Sequence, residues 1–296
     1  MSPVIAEEIA AALAGRRPVV ALESTLIAHG FPWPENLEVG HDLEATVRKA
    51  GAVPATIALA DGAIRVGLDS RALERLARGG AIKCSTRDLG AVLAQGGLGA
   101  TTVAATARIA ASAGIRVFAT GGIGGVHRGE GGDVSADLIE LSRAPIAVVS
   151  AGAKIVLDLP ATFEALETLG VPVYGFGCDE FPGFYVARSG LGLDHRFDDV
   201  GRLARAVTAH LDLGLGGVLV CQPPPEDLAL SGPEIEGMMT QALARAAAEG
   251  VRGKAVTPHL LKSLAVLSDG RTIACNRALA LANASLAARL AKAICA

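Results

Sequence analysis

Aromatic side chains make up only 3% of this 296-residue chain, and charged residues only 19%. The charges sum to −3 and leave no basic stripe, so no nucleic-acid partner is expected. A small anionic ligand needs just a few local donors and stays open. No uninterrupted apolar run reaches the ~18 residues of a membrane span. The first residues, MSPVIAEEIAAALAGRRPVV, carry acids where a secretion signal carries bases, and they read as an amphipathic helix. The five cysteines, Cys84, Cys178, Cys221, Cys275 and Cys295, are odd in number and widely spaced, with no CxxC pair. That pattern suits structural thiols better than a disulfide framework or a metal site. The expectation is a soluble cytoplasmic protein with no membrane partner. Low-complexity linkers and internal repeats are missing too, so residues 1–296 are expected to form a single domain.

Hydrophobic residues, at 51%, and 36 glycines dominate instead. Apolar runs at 18–24, 55–61, 115–121, 145–152, 171–176 and 217–222 read as buried strands. Helical patterns at 36–51, 101–114 and 160–170 lie between them, and 231–250 and 272–294 make a helical tail. The alternation predicts an α/β protein, a three-layer α/β/α fold around a central, mostly parallel or mixed sheet. In such sheets ligands gather at the carboxyl ends of strands.

Three of those ends carry unusual chemistry. Lysine is scarce, six residues against 21 arginines, yet Lys154 follows the run 145-PIAVVSAGA-153. A partly desolvated amine there could attack a carbonyl carbon, or the lysine could simply snorkel to solvent. Glu23 closes 18-PVVALES-24, where burial would favour a general acid, though from the residues alone a capping or ion-pairing carboxylate is the reading to prefer. The loop 121-GGIGGVHRGEGGDVSADL-138 lets backbone approach a ligand, and its successive N–H groups suggest an anion nest that His127 and Arg128 could supplement. It does not open a helix as a dinucleotide fingerprint does. Asp133 and Asp137 flank Ser135: a carboxylate on a hard cation and another on substrate is one reading, and helix capping by Asp133 is the other. Lys83, and 99-GATTV-103 opening a helical stretch, suggest a phosphate site, with plain capping as the alternative for Thr101 and Thr102.

The segments 21-ALESTLIAHGFPWPENLEV-39, 51-GAVPATIALADGAIRVGL-68, 82-IKCSTRDL-89, 119-ATGGIGGVHRG-129, 133-DVSADLIEL-141, 150-SAGAKIVLDLPATFEALETLGVPVYGF-176 and 181-FPGFY-185, taken in order, closely resemble the pseudouridine-5′-phosphate glycosidase family, which includes the indigoidine-cluster A proteins. The resemblance runs from about residue 18 to the C-terminus and implies an indigoidine synthase A-like fold. It implies cleavage of a C–C bond, pseudouridine 5′-phosphate plus water giving uracil and ribose 5-phosphate. It makes Lys154 the nucleophile that holds the sugar as an imine, and Glu23 the proton donor to uracil. It makes Asp133 the ligand of one Mn²⁺ per subunit. Substrate contacts would come from Ser135, Ala136 and Asp137, and phosphate contacts from Lys83, Thr102 and the Val103 amide. It further implies a homotrimer.

Departures from the family pattern fall near the base. An expected Asn-Pro is 221-CQPPPEDLAL-230, paired asparagines become Ala282-Asn283, and 257-TPHLL-261 has a histidine where an aromatic is usual. Asn283 is the candidate uracil contact, with Asn276 second. Two competing functions use the same residues: a Schiff-base aldolase or lyase on another sugar phosphate, and a non-catalytic sugar-phosphate-binding protein.

Overall fold

The computed structural model describes residues 2–128, 133–252 and 256–296. Eleven strands form there: β1 (Val4–Ile5), β2 (Val19–Leu22), β3 (Val53–Ala60), β4 (Ala63–Val66), β5 (Ile82–Cys84), β6 (Gly99–Thr101), β7 (Val117–Ala119), β8 (Ala147–Ser150), β9 (Val173–Phe176), β10 (His195–Phe197) and β11 (Val218–Cys221). Seven run parallel in the order β3-β2-β7-β8-β11-β9-β10. At the β3 side the sheet becomes mixed: β4 and β6 pair antiparallel with β3, β1 lies parallel on β4, and β5 parallel on β6. All six expected strands are present. β2, β3, β8 and β11 are buried along their whole lengths, which is why each reads as an unbroken apolar run.

Helices cover both faces. Glu35–Lys49, Val200–Asp212 and Arg271–Cys295 pack together on one side, while Val103–Ser112 and Ala136–Arg143 pair on the other. The three-layer α/β/α arrangement is therefore the observed one. Helix Arg271–Cys295 is long and apolar enough, by length and composition alone, to cross a membrane. Here it lies against β2, β7 and β8, and its buried Ala280, Ala284, Ala287 and Ala288 let it sit close to them.

One boundary differs from expectation. Residues 99–101 open no helix; they form β6, and the helix starts at Val103. Gly99 packs so tightly on β5 that a Cβ would lie 2.7 Å from Cys84 Sγ. This strand matters for the site. β3 outruns β2, and β6 returns antiparallel along its far half, so Thr101 arrives beside Ile57 while Leu22 pairs with Thr56. The end of an opposite-running strand thus meets the carboxyl end of β2.

The five cysteines are free thiols, four of them buried; burial pushes Cys178 up to about 11 and Cys275 to about 12. The segment 181-FPGFY-185 braces the loops after β7 and β8. Phe184 adopts φ 61°, strained for a bulky side chain, and its N–H donates to Ala151 O at 2.9 Å. Gly152 has φ 72°, and a Cβ there would lie 1.9 Å from Pro182 O. Gly152→Ala should therefore lose at least about 1–3 kcal/mol of stability. Urea unfolding checks this, and an unchanged midpoint would mean that the 152–182 approach is looser than described.

Candidate active site

Glu23 follows β2 and is only 6% exposed. Both carboxylate oxygens accept threonine hydroxyls, one from Thr25 and the other from Thr120 at the end of β7. The capping and ion-pairing readings of Glu23 thus find no support: its partners are neutral hydroxyls. A recess beside it is lined by Leu22, Leu26, Leu43, Ala119, Gly121 and Ala280. A larger cavity, about 720 Å³, lies elsewhere, between β4 and the helix Ser70–Ala77, and none of the candidate residues lines it. Next to Glu23, Ser24 Oγ donates to Ile57 O at 2.6 Å and accepts the Thr101 N–H at 2.8 Å. Thr101 Oγ1 donates to the same carbonyl at 2.7 Å and accepts Thr106 Oγ1 at 2.9 Å. This buried hydroxyl cluster joins β2, β3, β6 and the following helix, and it gives Thr101 a structural role.

Lys154 lies four residues beyond β8, half-buried, with no carboxylate within 4 Å among the described residues. Its N–H donates to Ile123 O at 3.1 Å, and the Leu157 N–H closes a turn onto Lys154 O at 3.0 Å. β8 and β2 both neighbour β7 in parallel, so Lys154 and Glu23 leave the same edge of the sheet with Thr120 and Gly121 between them.

The glycine-rich loop spends several of the N–H groups expected to form an anion nest on the protein itself; residues 129–132 lie outside the described residues. Protein acceptors already engage the N–H groups of Ile123 (Gly152 O), Gly124 (Asp137), Val126 (Thr162 Oγ1) and His127 (Asp133 O). Its glycines answer crowding: a Cβ on Gly122, Gly124 or Gly125 would lie within 2.7 Å of Phe184, Ser135 or Thr162. Arg128 is likewise engaged internally, by Glu236 and by the carbonyls of Ile155 and Leu157.

Asp137, 6% exposed, joins this loop to the phosphate candidates. Its Oδ2 accepts the Gly124 N–H at 2.8 Å, and its Oδ1 accepts the Ala104 N–H at 2.9 Å, in the first turn of helix Val103–Ser112. Thr102 caps that helix through Ala105 N at 3.4 Å, which leaves its O–H as a donor; the Val103 N–H has no acceptor among the described residues. Lys83 pairs in register with Ala100, one residue before Thr101, and it is near the helix Thr25–His29. Packing around His29 lowers that imidazole's pKa first, and the Lys83 charge lowers it further. Ser135, not Asp133, caps the helix Ala136–Arg143 and accepts the Asp137 N–H at 3.2 Å. Ala136 opens that helix. A closed circuit results: Glu23–Thr120–Gly121 to Ile123–Lys154, Gly124–Asp137–Ala104, and Thr101–Ser24 back to Glu23.

Asp133 is exposed, with His127 Nε2 3.8 Å from its carboxylate. Among the described residues no three His, Cys, Asp or Glu side chains converge; an exposed carboxylate completed by water and substrate oxygens is a donor set that fits Mg²⁺ or Mn²⁺. Asn283 is fully buried and donates to Thr120 O at 2.9 Å and Gly121 O at 3.3 Å. Its Oδ1 and that of Asn276 have no partner among the described residues. Asn276 Oδ1 lies 3.4 Å from where a Gly121 Cβ would stand, so both asparagines reach the loop beside Glu23. The contacts of Ser24, Thr25 and Thr120 join distant segments and leave one local trace in the sequence, hydroxyls next to a buried strand-end acid, while Arg128 turns inward instead of toward an anion.

The sequence profile described as indigoidine synthase A like protein matches residues 8–293. The chain belongs to the indigoidine synthase A-like family. Within it, this chain is 52% identical over 294 residues to the pseudouridine-5′-phosphate glycosidase of Sorangium cellulosum, covering 98% of this chain and 93% of that protein. It is 53% identical over 302 residues to the enzyme of the same name from Paracoccus denitrificans, covering 99% of each. Among solved structures, the prealnumycin C-glycosynthase AlnA in complex with ribulose 5-phosphate superposes with a TM-score of 0.92 at 45% identity, covering 100% of this chain and 97% of that one. An indigoidine synthase A-like protein from Thermotoga maritima gives 0.88 at 38% identity, covering 94% of each chain.

The Asp137 link is open to a direct test. Asp137→Asn replaces one accepting oxygen with an NH₂ that opposes a backbone donor, at a cost of roughly 1–3 kcal/mol. Urea unfolding should show the loss; a wild-type midpoint would mean that the carboxylate does not join the two arms.

Proposed function

We propose that this indigoidine synthase A-like enzyme cleaves the C–C glycosidic bond of pseudouridine 5′-phosphate reversibly, with water, to uracil and ribose 5-phosphate. The observation that carries the reading is the circuit that joins a sparsely partnered lysine, a buried acid and a helix N-terminus around one end of the sheet. The names of relatives identical at 52–53% supply the substrate, and the pentulose phosphate in the AlnA complex is consistent with a sugar-phosphate site.

The bond cut has no leaving oxygen to protonate, so a pair of carboxylates of the usual glycosidase kind does not suffice. The Lys154 amine attacks C1′, the C1′–O4′ bond breaks, and the proton shed by the newly bonded nitrogen passes to O4′. The nitrogen lone pair then forms C=N as the C1′–C5 bond breaks, and uracil C5 takes a proton from Glu23. Water hydrolyses the imine to ribose 5-phosphate and free lysine. The Thr25 and Thr120 hydroxyls hold the Glu23 carboxyl in place. Phosphate is taken by Lys83, the Thr102 hydroxyl and the Val103 amide, with Ser135 closing the site and Ala136 and Asp137 beside the ribose. Asn283 Oδ1, with no protein donor among the described residues, suits an N–H of uracil, and Asn276 is second. One Mn²⁺ per subunit on Asp133 would supply fixed positive charge near the sugar phosphate. A cytoplasmic homotrimer is part of the same proposal.

Pseudouridine 5′-phosphate with Mn²⁺ should yield free uracil, and Lys154→Arg should yield none, because a guanidinium stays protonated and cannot form the imine. No uracil from the wild-type protein would favour a Schiff-base lyase on another sugar phosphate, or a binding protein. Glu23→Gln keeps the shape, with one threonine hydroxyl turned to accept from the amide, but loses the acidic proton, so uracil release should fall by about 10²–10⁴. The same variant should still form a reducible adduct with ribose 5-phosphate alone. If adduct and release disappear together, Glu23 serves imine formation or the fold instead.

A further inference from the structure

We propose that Arg128 and Glu236 form a positioning clamp that sets the Lys154 turn for attack on the sugar; the inference rests on Lys154 being the nucleophile. Arg128 Nε donates to Leu157 O at 3.0 Å, and Nη2 donates to Ile155 O at 3.1 Å. Those carbonyls lie one and three residues past Lys154, on the turn that the Leu157 N–H closes onto Lys154 O. The outer edge of the guanidinium takes Glu236 in a two-pronged pair, Nη1 to Oε2 at 2.9 Å and Nη2 to Oε1 at 2.7 Å. Glu236 stands on the helix Gly232–Ala248, outside the sheet and far along the chain.

The chemistry favours arginine. A guanidinium presents five N–H donors in fixed directions, so anchoring its outer edge to a carboxylate fixes where the inner edge points. Among the described residues, the glycine-rich loop also holds this segment by backbone bonds, Ile123 N–H to Gly152 O at 3.0 Å, Lys154 N–H to Ile123 O at 3.1 Å and Asp158 N–H to Val126 O at 2.9 Å. Arg128 belongs to that same loop, so one side chain completes the frame around the turn. The hydrogen bond from Arg128 holds the Glu236 carboxyl below its usual range, so the pair is charged at neutral pH. Glu236 is 53% exposed at its side chain, and among the described residues its carboxylate hydrogen-bonds to Arg128 and to none of the groups assigned to substrate.

The test uses full-length Arg128→Lys and Glu236→Gln with Mn²⁺. It measures kcat and KM for pseudouridine 5′-phosphate, and the rate at which ribose 5-phosphate forms an adduct reducible by cyanoborohydride. Arg128→Lys keeps the charge but cannot meet both carbonyls and the carboxylate. Its kcat and adduct rate should fall together, by about 10- to 10²-fold, the cost of a misplacement near 1 Å. KM should stay within about twofold, because the phosphate groups come from other elements. Glu236→Gln should lower both rates by about two- to fivefold, as expected for one partly exposed ion pair. Variants with lower thermal stability but wild-type kcat and adduct rate would show a clamp that serves the fold alone, overturning the proposal. If Arg128→Lys does not fold, Glu236→Gln decides by the same criterion. A wild-type enzyme that releases uracil without any adduct would instead overturn the Lys154 mechanism, and the clamp with it.

Discussion

The Asp137 carboxylate is the constraint on which the arrangement turns. One oxygen holds Gly124 in the loop that follows β7, and the other holds Ala104 in the first turn of the helix after β6. These two arms belong to strands that run in opposite directions on different parts of the sheet. The packing of helix Val103–Ser112 on helix Ala136–Arg143, with Arg108 Nε donating to Glu140 at 2.8 Å, joins the same two arms farther from the sheet edge. A carboxylate suits the task because both of its oxygens accept, whereas an amide would oppose one of the donors.

The second constraint is the length of β3. Because it extends past β2 and carries β6 back antiparallel, Thr101 meets Ser24, and the two hydroxyls share the Ile57 carbonyl. The helix N-terminus at Val103 is thereby delivered to the edge where Glu23 sits. On the opposite side, the strained Phe184 and the Gly152 turn press the β7 and β8 loops together. Buried polar networks of this kind stabilise only when each member is satisfied. Among the described residues, two of the four buried side-chain atoms without a partner, the Oδ1 atoms of Asn276 and Asn283, lie beside the recess at Glu23, where the proposed mechanism has uracil leave.

Much of the fold was legible because burial leaves a direct trace: strands covered on both faces read as apolar runs, and helices show their period. The short strands β1, β4, β5, β6 and β10 left no such trace, since Lys83, Arg65 or His195 break their pattern and Gly99 suggests a turn. For the site, residue type and position at strand ends pointed to Glu23 and Lys154. Contacts between distant segments were invisible. Arg128 looked like an anion ligand because sequence does not reveal that Glu236, 108 positions on, occupies it. The glycines of 121–125 looked like a ligand cradle, whereas Phe184, Ser135 and Thr162 are what they make room for. Asp133 reads as a helix cap by spacing alone, yet Ser135 takes that place two residues later.

The account stands on the Lys154 amine carrying the sugar. Reduction of the enzyme with borohydride in the presence of ribose 5-phosphate, followed by peptide mass mapping, tests it most directly. A reduced pentose phosphate on the peptide that contains Lys154 is the predicted result. The same mass on the peptide that contains Lys83, or no adduct under conditions in which uracil is released, would contradict it.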